Sequence, residues 1–129
     1  MPTSATPVTH LFVYGTLLNA SKVPMAQYLR QRSQRIGTGC FPGRLYNLGA
    51  YPGAVYDGQA DGFVYGELYT FSASTASELF NALDAYEGDE YTRAVVPVQT
   101  ENGFVGCWTY LFTQPTGDWP VIASGRYFG

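Results

Sequence analysis

Short β-rich runs, each ended by a glycine or a turn, dominate this sequence and restrict what it can fold into. Strands of this length expose unpaired edges unless the sheet curls or closes on itself. We therefore predict an α+β fold in which a small closed or nearly closed mixed β-barrel is flanked by two main helices. The predicted strands cover residues 10–14, 38–48, 54–56, 63–71, 91–100 and 104–112.

Two segments show helical periodicity. Residues 75–87 carry Leu79, Leu83 and Tyr86 on one face, begin with the capping-box sequence TASE, and precede Gly88, a typical helix-ending residue. A shorter helix is predicted over residues 24–35. The tail from 119 to 128 is predicted to add a last extended or helical piece.

The chain length and composition favour one folded domain. The 129 residues are 46% hydrophobic and only 13% charged, which suits a globular domain with its own core. We expect a single domain over residues 10–129 after a disordered N-terminal arm, residues 1–9. The arm lacks the pattern of a signal peptide and no run is long enough to span a bilayer, so a cytoplasmic protein without membrane association is expected.

The composition also excludes several kinds of chemistry. The net charge is −3 without a basic run, so nucleic-acid binding is not expected. With His10 as the only histidine and Cys40 and Cys107 far apart, neither a zinc site nor a histidine-dependent nucleophile is predicted. Phosphate-loop and dinucleotide motifs are missing, so we expect no metal and no cofactor. A carboxylate, tyrosine hydroxyls and backbone amides remain for catalysis.

Glu87 ends the predicted second helix in an unusual position. It falls on the same face as Leu83 and Phe80, which is the apolar face, and at the helix end where the dipole disfavours negative charge. Both effects would raise its pKa and make a better base. An exposed acidic helix end, with Glu87 facing water beside Asp89 and Glu90, is an equally good interpretation.

Three neighbouring charged residues have simpler explanations. Asp84 is predicted to be structural, with a hydrogen bond from a nearby backbone amide. Glu90 is predicted to be exposed. Arg93 could pair with Glu90 or with a ligand carboxylate, and the ion pair is the preferred interpretation.

The turn Tyr14-Gly15-Thr16-Leu17 offers complementary chemistry. A strand that ends in Gly-Thr exposes consecutive backbone N–H groups and a hydroxyl, which can hold a carboxylate or a developing oxyanion. Glycine would let a ligand approach the backbone closely. An ordinary strand end is the alternative.

Three segments together resemble a known family. Tyr14-Gly15-Thr16-Leu17 resembles the Y-G-[ST]-L substrate loop of the γ-glutamylcyclotransferase-like superfamily. Residues 83–93, LDAYEGDEYTR, are similar to its acidic motif in the AIG2-like branch, and residues 45–55 resemble the middle loop of that branch. The blocks occur in the family's order and span nearly the whole chain from Leu11.

The resemblance implies a small β-barrel with a pocket at one end and a γ-glutamylcyclotransferase-type enzyme. Its activity would cyclise a γ-glutamyl group and release 5-oxoproline. Glu87 would be the general base and acid, and Tyr14, Gly15, Thr16 and Leu17 would bind the glutamyl moiety. Tyr51 and Tyr91 would be pocket walls.

The resemblance leaves the substrate and the activity itself open. A γ-glutamyl dipeptide, an ε-lysine isopeptide and a γ-glutamyl amine are all possible substrates. A non-catalytic module that binds a small ligand is the main alternative, and a plain interaction domain is a third. A monomer or weak homodimer is expected.

Overall fold

The computed structural model of the protein describes residues 8–18 and 21–127. Within these ranges the chain forms six strands and two helices. The strands are β1 (His10–Val13), β2 (Gln34–Asn47), β3 (Pro52–Tyr56), β4 (Phe63–Thr70), β5 (Tyr91–Thr100) and β6 (Gly103–Phe112), and the helices are α1 (Pro24–Arg32) and α2 (Ala73–Glu87).

Five of these strands close into a mixed barrel, as predicted. The order is β2-β4-β1-β6-β5, and a pairing between β5 and β2 at Cys40 and Gln99 closes the ring. Four of the five contacts are antiparallel, whereas β1 runs parallel to β6 at Leu11 and Trp108. Strand β3 lies outside the ring and pairs with β2.

Strand β2 joins the barrel to β3 because it is long and irregular. Its first part pairs with β4, with a register shift between Arg35 and Gly37, and its last part pairs with β3. At Gly43 the partner strand comes so close that a Cβ atom would lie 2.1 Å from the carbonyl oxygen of Val55. The glycine therefore permits this crossing, which fits the bends predicted for the segment.

The core has two parts, on the inside and the outside of the barrel. Alternation along β1 assigns Phe12 to the interior, whereas Leu11 and Val13 face the helices. The interior cluster includes Phe41, Leu45, Val64, Leu68 and Val98, and the outer cluster includes Leu29, Tyr69, Leu79, Phe80 and Leu83.

Helix α2 ends as predicted but begins earlier. Its N-cap is Ser72, and the hydroxyl of Thr75 lies 2.8 Å from the Ser72 hydroxyl, so the predicted capping box was wrong. Gly88 has a φ of 81° and its N–H donates to the Asp84 carbonyl at 3.1 Å, which confirms the predicted glycine stop.

The end of α1 and the structure of the tail also differ from the predictions. Helix α1 ends at Arg32 rather than at residue 35, because β2 already begins at Gln34. In the tail, residues 119–127 form turns and one isolated bridge between Val121 and Tyr46 instead of a helix or a strand.

Parts of two predicted segments cannot be compared with the structure. Residues 1–7 of the expected arm and residue 128 of the predicted tail lie outside the described residues. The carbonyl of Thr9 accepts hydrogen bonds from the Phe71 N–H and the Thr70 hydroxyl, so this end of the segment is attached to β4. Among the described residues, no helix has the length and apolar character needed to cross a membrane.

Candidate active site

A cavity of about 390 Å³ opens at one end of the barrel. It forms where the end of β1, the loop between β2 and β3, and the last turn of α2 meet the first residue of β5 and the end of β6. Its wall consists of Phe12, Val13, Tyr14, Gly15, Thr16, Leu17, Ala50, Tyr51, Pro52, Tyr86, Glu87, Tyr91 and Tyr110.

The fold brings every residue predicted for the site to this one cavity. They come from four separate places in the sequence, and the two most distant, Tyr14 and Tyr91, are 77 residues apart. The residues are Glu87, Tyr14, Gly15, Thr16, Leu17, Tyr51 and Tyr91.

Glu87 lies on the cavity wall rather than on an exposed helix end. Its side chain is half-buried, whereas Asp89 and Glu90 after it are exposed. Burial raises the pKa of Glu87 from 4.5 to about 7. A carboxyl group with this pKa can accept or donate a proton near neutral pH.

Tyr14 uses its hydroxyl to hold the barrel end together. The hydroxyl donates to the Tyr110 carbonyl at 2.6 Å and accepts from the Ala54 N–H at 3.2 Å. Burial, followed by the charge of Glu87, raises the pKa of Tyr14 well above its usual value, so the phenol stays protonated. Its ring and backbone, rather than its hydroxyl, are available to a ligand.

Gly15 is required by packing against the first residue of β3. A Cβ atom at this position would lie 2.7 Å from Cγ of Pro52. The space next to Gly15 is therefore filled by protein, instead of being left for a ligand as the sequence suggested. The Pro52 carbonyl also accepts a 2.7 Å hydrogen bond from the hydroxyl of Tyr91, which fixes a second wall residue.

The turn after β1 contains the backbone N–H groups of residues 15–17. The Leu18 N–H donates to the Gly15 carbonyl at 3.1 Å and closes the turn. Within residues 8–18 and 21–127, no acceptor is found for the backbone N–H groups of residues 15–17. Thr16 adds a 2.8 Å hydrogen bond between its hydroxyl and that of Tyr86, so the turn is tied to the end of α2.

The rim of the cavity is aromatic and acidic. Tyr51 is exposed and donates a 3.1 Å hydrogen bond to the Glu90 carboxylate, and its ring lies tilted against that of Tyr91, with the ring centres 6.4 Å apart. The cavity wall contains no lysine, arginine or histidine among the residues that the structure describes.

Behind the wall, Asp84 is held by side chains rather than by the backbone amide that we predicted. Arg93 donates to it from Nε and Nη2 at 3.0 and 3.2 Å, and the Tyr110 hydroxyl donates at 2.6 Å. The prediction that Arg93 forms an ion pair was therefore correct, but its partner is Asp84 and not Glu90. Partial burial would raise the pKa of Asp84, but the bonds from Arg93 and Tyr110 outweigh it and lower that pKa.

Sequence reasoning missed several wall residues, including Tyr110, Tyr86 and Pro52. Tyr86 and Pro52 are sequence neighbours of the predicted residues Glu87 and Tyr51, so this adjacency could have identified them as wall residues. Tyr110 is one aromatic residue among several on β6, so its position on the wall depends on how the barrel closes. Across the described residues, no group of three or more His, Cys, Asp or Glu side chains comes together as a metal site would require.

The closed barrel with its two helices defines a γ-glutamylcyclotransferase-type fold. The model of the family described as "Gamma-glutamyl cyclotransferase, AIG2-like" matches residues 11–128. The γ-glutamylcyclotransferase family protein YtfP of Escherichia coli K12 is 34% identical over 118 residues, or 91% of this chain and 94% of that protein. The chain therefore belongs to this family.

Solved structures agree with this assignment. YkqA from Bacillus subtilis superposes with a TM-score of 0.72 at 27% identity, over 92% of this chain and 39% of YkqA. A mouse AIG2-like protein gives a TM-score of 0.75 over 93% of this chain and 88% of that one; at 23% identity this likeness concerns the fold. These neighbours confirm the predicted fold class.

Proposed function

We propose that the protein is a γ-glutamylcyclotransferase that releases 5-oxoproline, with Glu87 as general base and acid. The observation that carries the proposal is the position of Glu87. Glu87 lines the same cavity as the glycine turn, and its pKa of about 7 suits proton transfer near neutral pH.

The proposed reaction is intramolecular. The α-amine of the γ-glutamyl group attacks its own γ-carbonyl carbon, a C–N bond forms in the five-membered ring, and the original amide C–N bond breaks. The α-nitrogen loses two protons in all and the leaving nitrogen gains two. Glu87 would relay them, while the cavity supplies the curled conformation and hence the proximity.

The turn at residues 15–17 would bind the negative charge in this reaction. Its backbone N–H groups lack acceptors within the described part of the chain and belong to residues that line the cavity. Such donors can hold the substrate carboxylate or the oxygen of the tetrahedral intermediate. The reaction needs no further charged group from the protein.

The charge pattern favours a leaving amine without a carboxylate next to its nitrogen. The wall offers no basic side chain among the described residues, and Glu90 adds negative charge at the rim next to Tyr51. A carboxylate close to the breaking bond would meet this negative potential, whereas a neutral or cationic amine would not. We therefore expect γ-glutamyl amines, and γ-glutamyl groups joined to the ε-nitrogen of lysine, to react better than γ-glutamyl dipeptides, in which the γ-glutamyl group is joined to an α-nitrogen.

A substrate panel tests the proposal. Purified protein is incubated with γ-glutamyl amines, γ-glutamyl-ε-lysine and γ-glutamyl dipeptides, and 5-oxoproline is quantified. We expect turnover, and we expect Glu87→Gln to reduce kcat by about 10³-fold, as loss of a general base and acid does.

Glu78 on the same helix provides the matched control. It is an exposed carboxylate bonded to Arg32, so Glu78→Gln should leave kcat within about twofold of the parent, the range of a surface change. No turnover across the panel would disprove the enzyme and leave the non-catalytic binding module. Turnover unaffected by Glu87→Gln would disprove the assigned base.

A further inference from the structure

We propose that Arg93 is a positioning residue for the proposed reaction: by pairing with Asp84 it fixes the last turn of α2 and neutralises the carboxylate nearest to Glu87 along that helix. The catalytic part of this inference rests on the proposed function. The electrostatic part can be tested without any turnover.

Arg93 lies on β5, and its contacts reach two other elements, α2 and β6. Its guanidinium binds both carboxylate oxygens of Asp84 on α2, at 3.0 and 3.2 Å. It also lies over the ring of Phe80 on α2, 4.2 Å from the ring centre, and 4.8 Å from that of Trp108 on β6. A planar, two-pronged contact of this kind constrains orientation as well as distance.

Asp84 transmits this constraint to the active-site wall. It precedes Glu87 by three residues, so the two side chains are neighbours on the helix surface. It also accepts the 2.6 Å bond from Tyr110, a wall residue whose carbonyl in turn holds the Tyr14 hydroxyl. Through Asp84, Arg93 therefore connects the helix turn that bears Glu87 to the wall residues Tyr110 and Tyr14. Arg93 itself is not among the residues that line the cavity.

The groups that face Glu87 from the other elements are uncharged phenols. Tyr14 at the end of β1, Tyr91 on β5 and Tyr110 on β6 all have pKa values raised, first by burial. Tyr86 on α2 and Tyr51 in the β2–β3 loop complete the titratable side chains of the wall. Asp84 is thus the ionised group one turn away on the same helix, and Arg93 compensates its charge.

Two exposed acids follow the end of the helix. Asp89 and Glu90 follow Gly88, and Glu90 is bonded to Tyr51 at the rim. Neither has an ion pair with Arg93, whose recorded carboxylate partner is Asp84. If Arg93 lost its charge, Asp84 would become an uncompensated like charge beside Glu87, and protonated Glu87 would be favoured.

The first half of α2 carries a closely similar cluster that serves as a control. Arg32 binds Glu78 on that helix at 3.0 Å, and its guanidinium lies 3.6 Å from the centre of the Tyr28 ring. This cluster shares the ion pair and the aromatic contact but lies away from the cavity wall. Arg32→Met therefore reproduces the loss of an arginine clamp without touching the turn that bears Glu87.

The experiment compares Arg93→Met, Arg93→Lys and Arg32→Met with the parent. Steady-state kinetics use the best substrate of the panel over a range of pH, and ¹³C NMR follows the titration of the Glu87 side-chain carboxyl. Arg93→Met should lower kcat about tenfold with KM within about twofold. It should also raise the Glu87 midpoint by roughly 0.3 pH unit, the effect of a like charge one turn away.

The conservative variants separate the two effects. Arg93→Lys keeps the positive charge but loses the two-nitrogen contact with Asp84. The titration midpoint of Glu87 should therefore return to the parent value, while kcat recovers only in part. Adding Asp84→Asn to Arg93→Met should also return the midpoint, because the uncompensated charge is gone. Should Arg93→Met fail to fold, Arg93→Lys and Asp84→Asn provide the kinetic and titration measurements.

Two results would overturn the inference. One is a Glu87 midpoint that is the same in Arg93→Met as in the parent. The other is a loss of kcat in Arg93→Met no larger than in Arg32→Met. A parent protein without turnover would instead disprove the proposed function, and the NMR titration would still decide whether Arg93 compensates Asp84.

Discussion

The last turn of α2 carries two carboxylates in opposite environments. Asp84 is 46% exposed and bound by Arg93 and Tyr110, so its pKa is lowered despite partial burial. Glu87 lies three residues later on the cavity wall, and burial raises its pKa to about 7. The same functional group is thus held ionised at one position and ready to exchange a proton at the other.

This difference shows that the surroundings decide what a carboxylate does. Two acids in one short sequence motif can divide the roles of structural anchor and proton carrier when their environments move the pKa values apart. In this chain the separation depends on which side of the helix faces Arg93 and which side faces the cavity.

Activity should separate the two carboxylates most strongly. We expect Glu87→Gln to lower kcat by about 10³-fold because the proton relay is lost, and Asp84→Asn to lower it by about tenfold or less because the site is only loosened. Both variants are measured on the same γ-glutamyl substrate. Equal losses in the two variants would contradict the division of roles.

The pH dependence of stability should also differ. Because the folded pKa of Glu87 is about 7 and its ordinary value is 4.5, its contribution to stability is fully present below about pH 4.5. That contribution is lost as the pH rises through 7, a change of the order of 3 kcal/mol at most.

The Glu87→Gln variant isolates this contribution. Denaturant unfolding of parent and variant from pH 4 to 9 should show the variant gaining relative to the parent as the pH rises, because glutamine cannot ionise. A constant difference between the two proteins across this range would show that the Glu87 pKa is not raised.

Removing the Tyr110 hydroxyl should affect the other carboxylate. Tyr110→Phe deletes the 2.6 Å bond to Asp84 and should cost about 1 kcal/mol of unfolding free energy at pH 7, discounted because Asp84 is partly exposed. Because the folded pKa of Asp84 is lowered, its ionised form stabilises the fold above the ordinary pKa of 3.8, and this contribution is lost as the pH falls through the lowered folded pKa. The difference between variant and parent should therefore shrink as the pH falls below 3.8.

The smallest expected effect concerns the link between the turn and the helix. Thr16→Val removes the exposed bond between the Thr16 and Tyr86 hydroxyls, so the unfolding free energy should fall by about 0.5 kcal/mol or less. We expect KM to rise more clearly than kcat falls, because the turn would be less well placed for binding. Thr75→Val is a control at the start of the same helix.

Local patterns predicted much of the fold. Alternation and turn residues located all six strands, and the 3.6-residue period placed Glu87 on the same helix face as Phe80 and Leu83, both of which are buried. The errors concentrate at the ends of elements, as at Ser72 and Arg32, where caps and neighbouring strands compete with intrinsic propensity.

Contacts between distant residues could not be predicted in the same way. Arg93 pairs with Asp84 rather than with Glu90, which is nearer in the sequence, because the fold brings the Arg93 side chain to the last turn of α2. Likewise, Tyr110 lies 26 residues from Asp84, and no periodicity joins them. Gly15 was assigned to ligand approach because the sequence could not show that Pro52 fills the adjoining space.

The family, the order of strands and helices, and the two elements that bear the candidate chemistry could be predicted from the amino-acid sequence, because they depend on local patterns and motifs. That Glu87 faces a cavity instead of water, and that Arg93 neutralises Asp84 beside it, emerged from the tertiary structure. Burial and charge compensation are properties of neighbours in space, so they become defined only when the barrel closes.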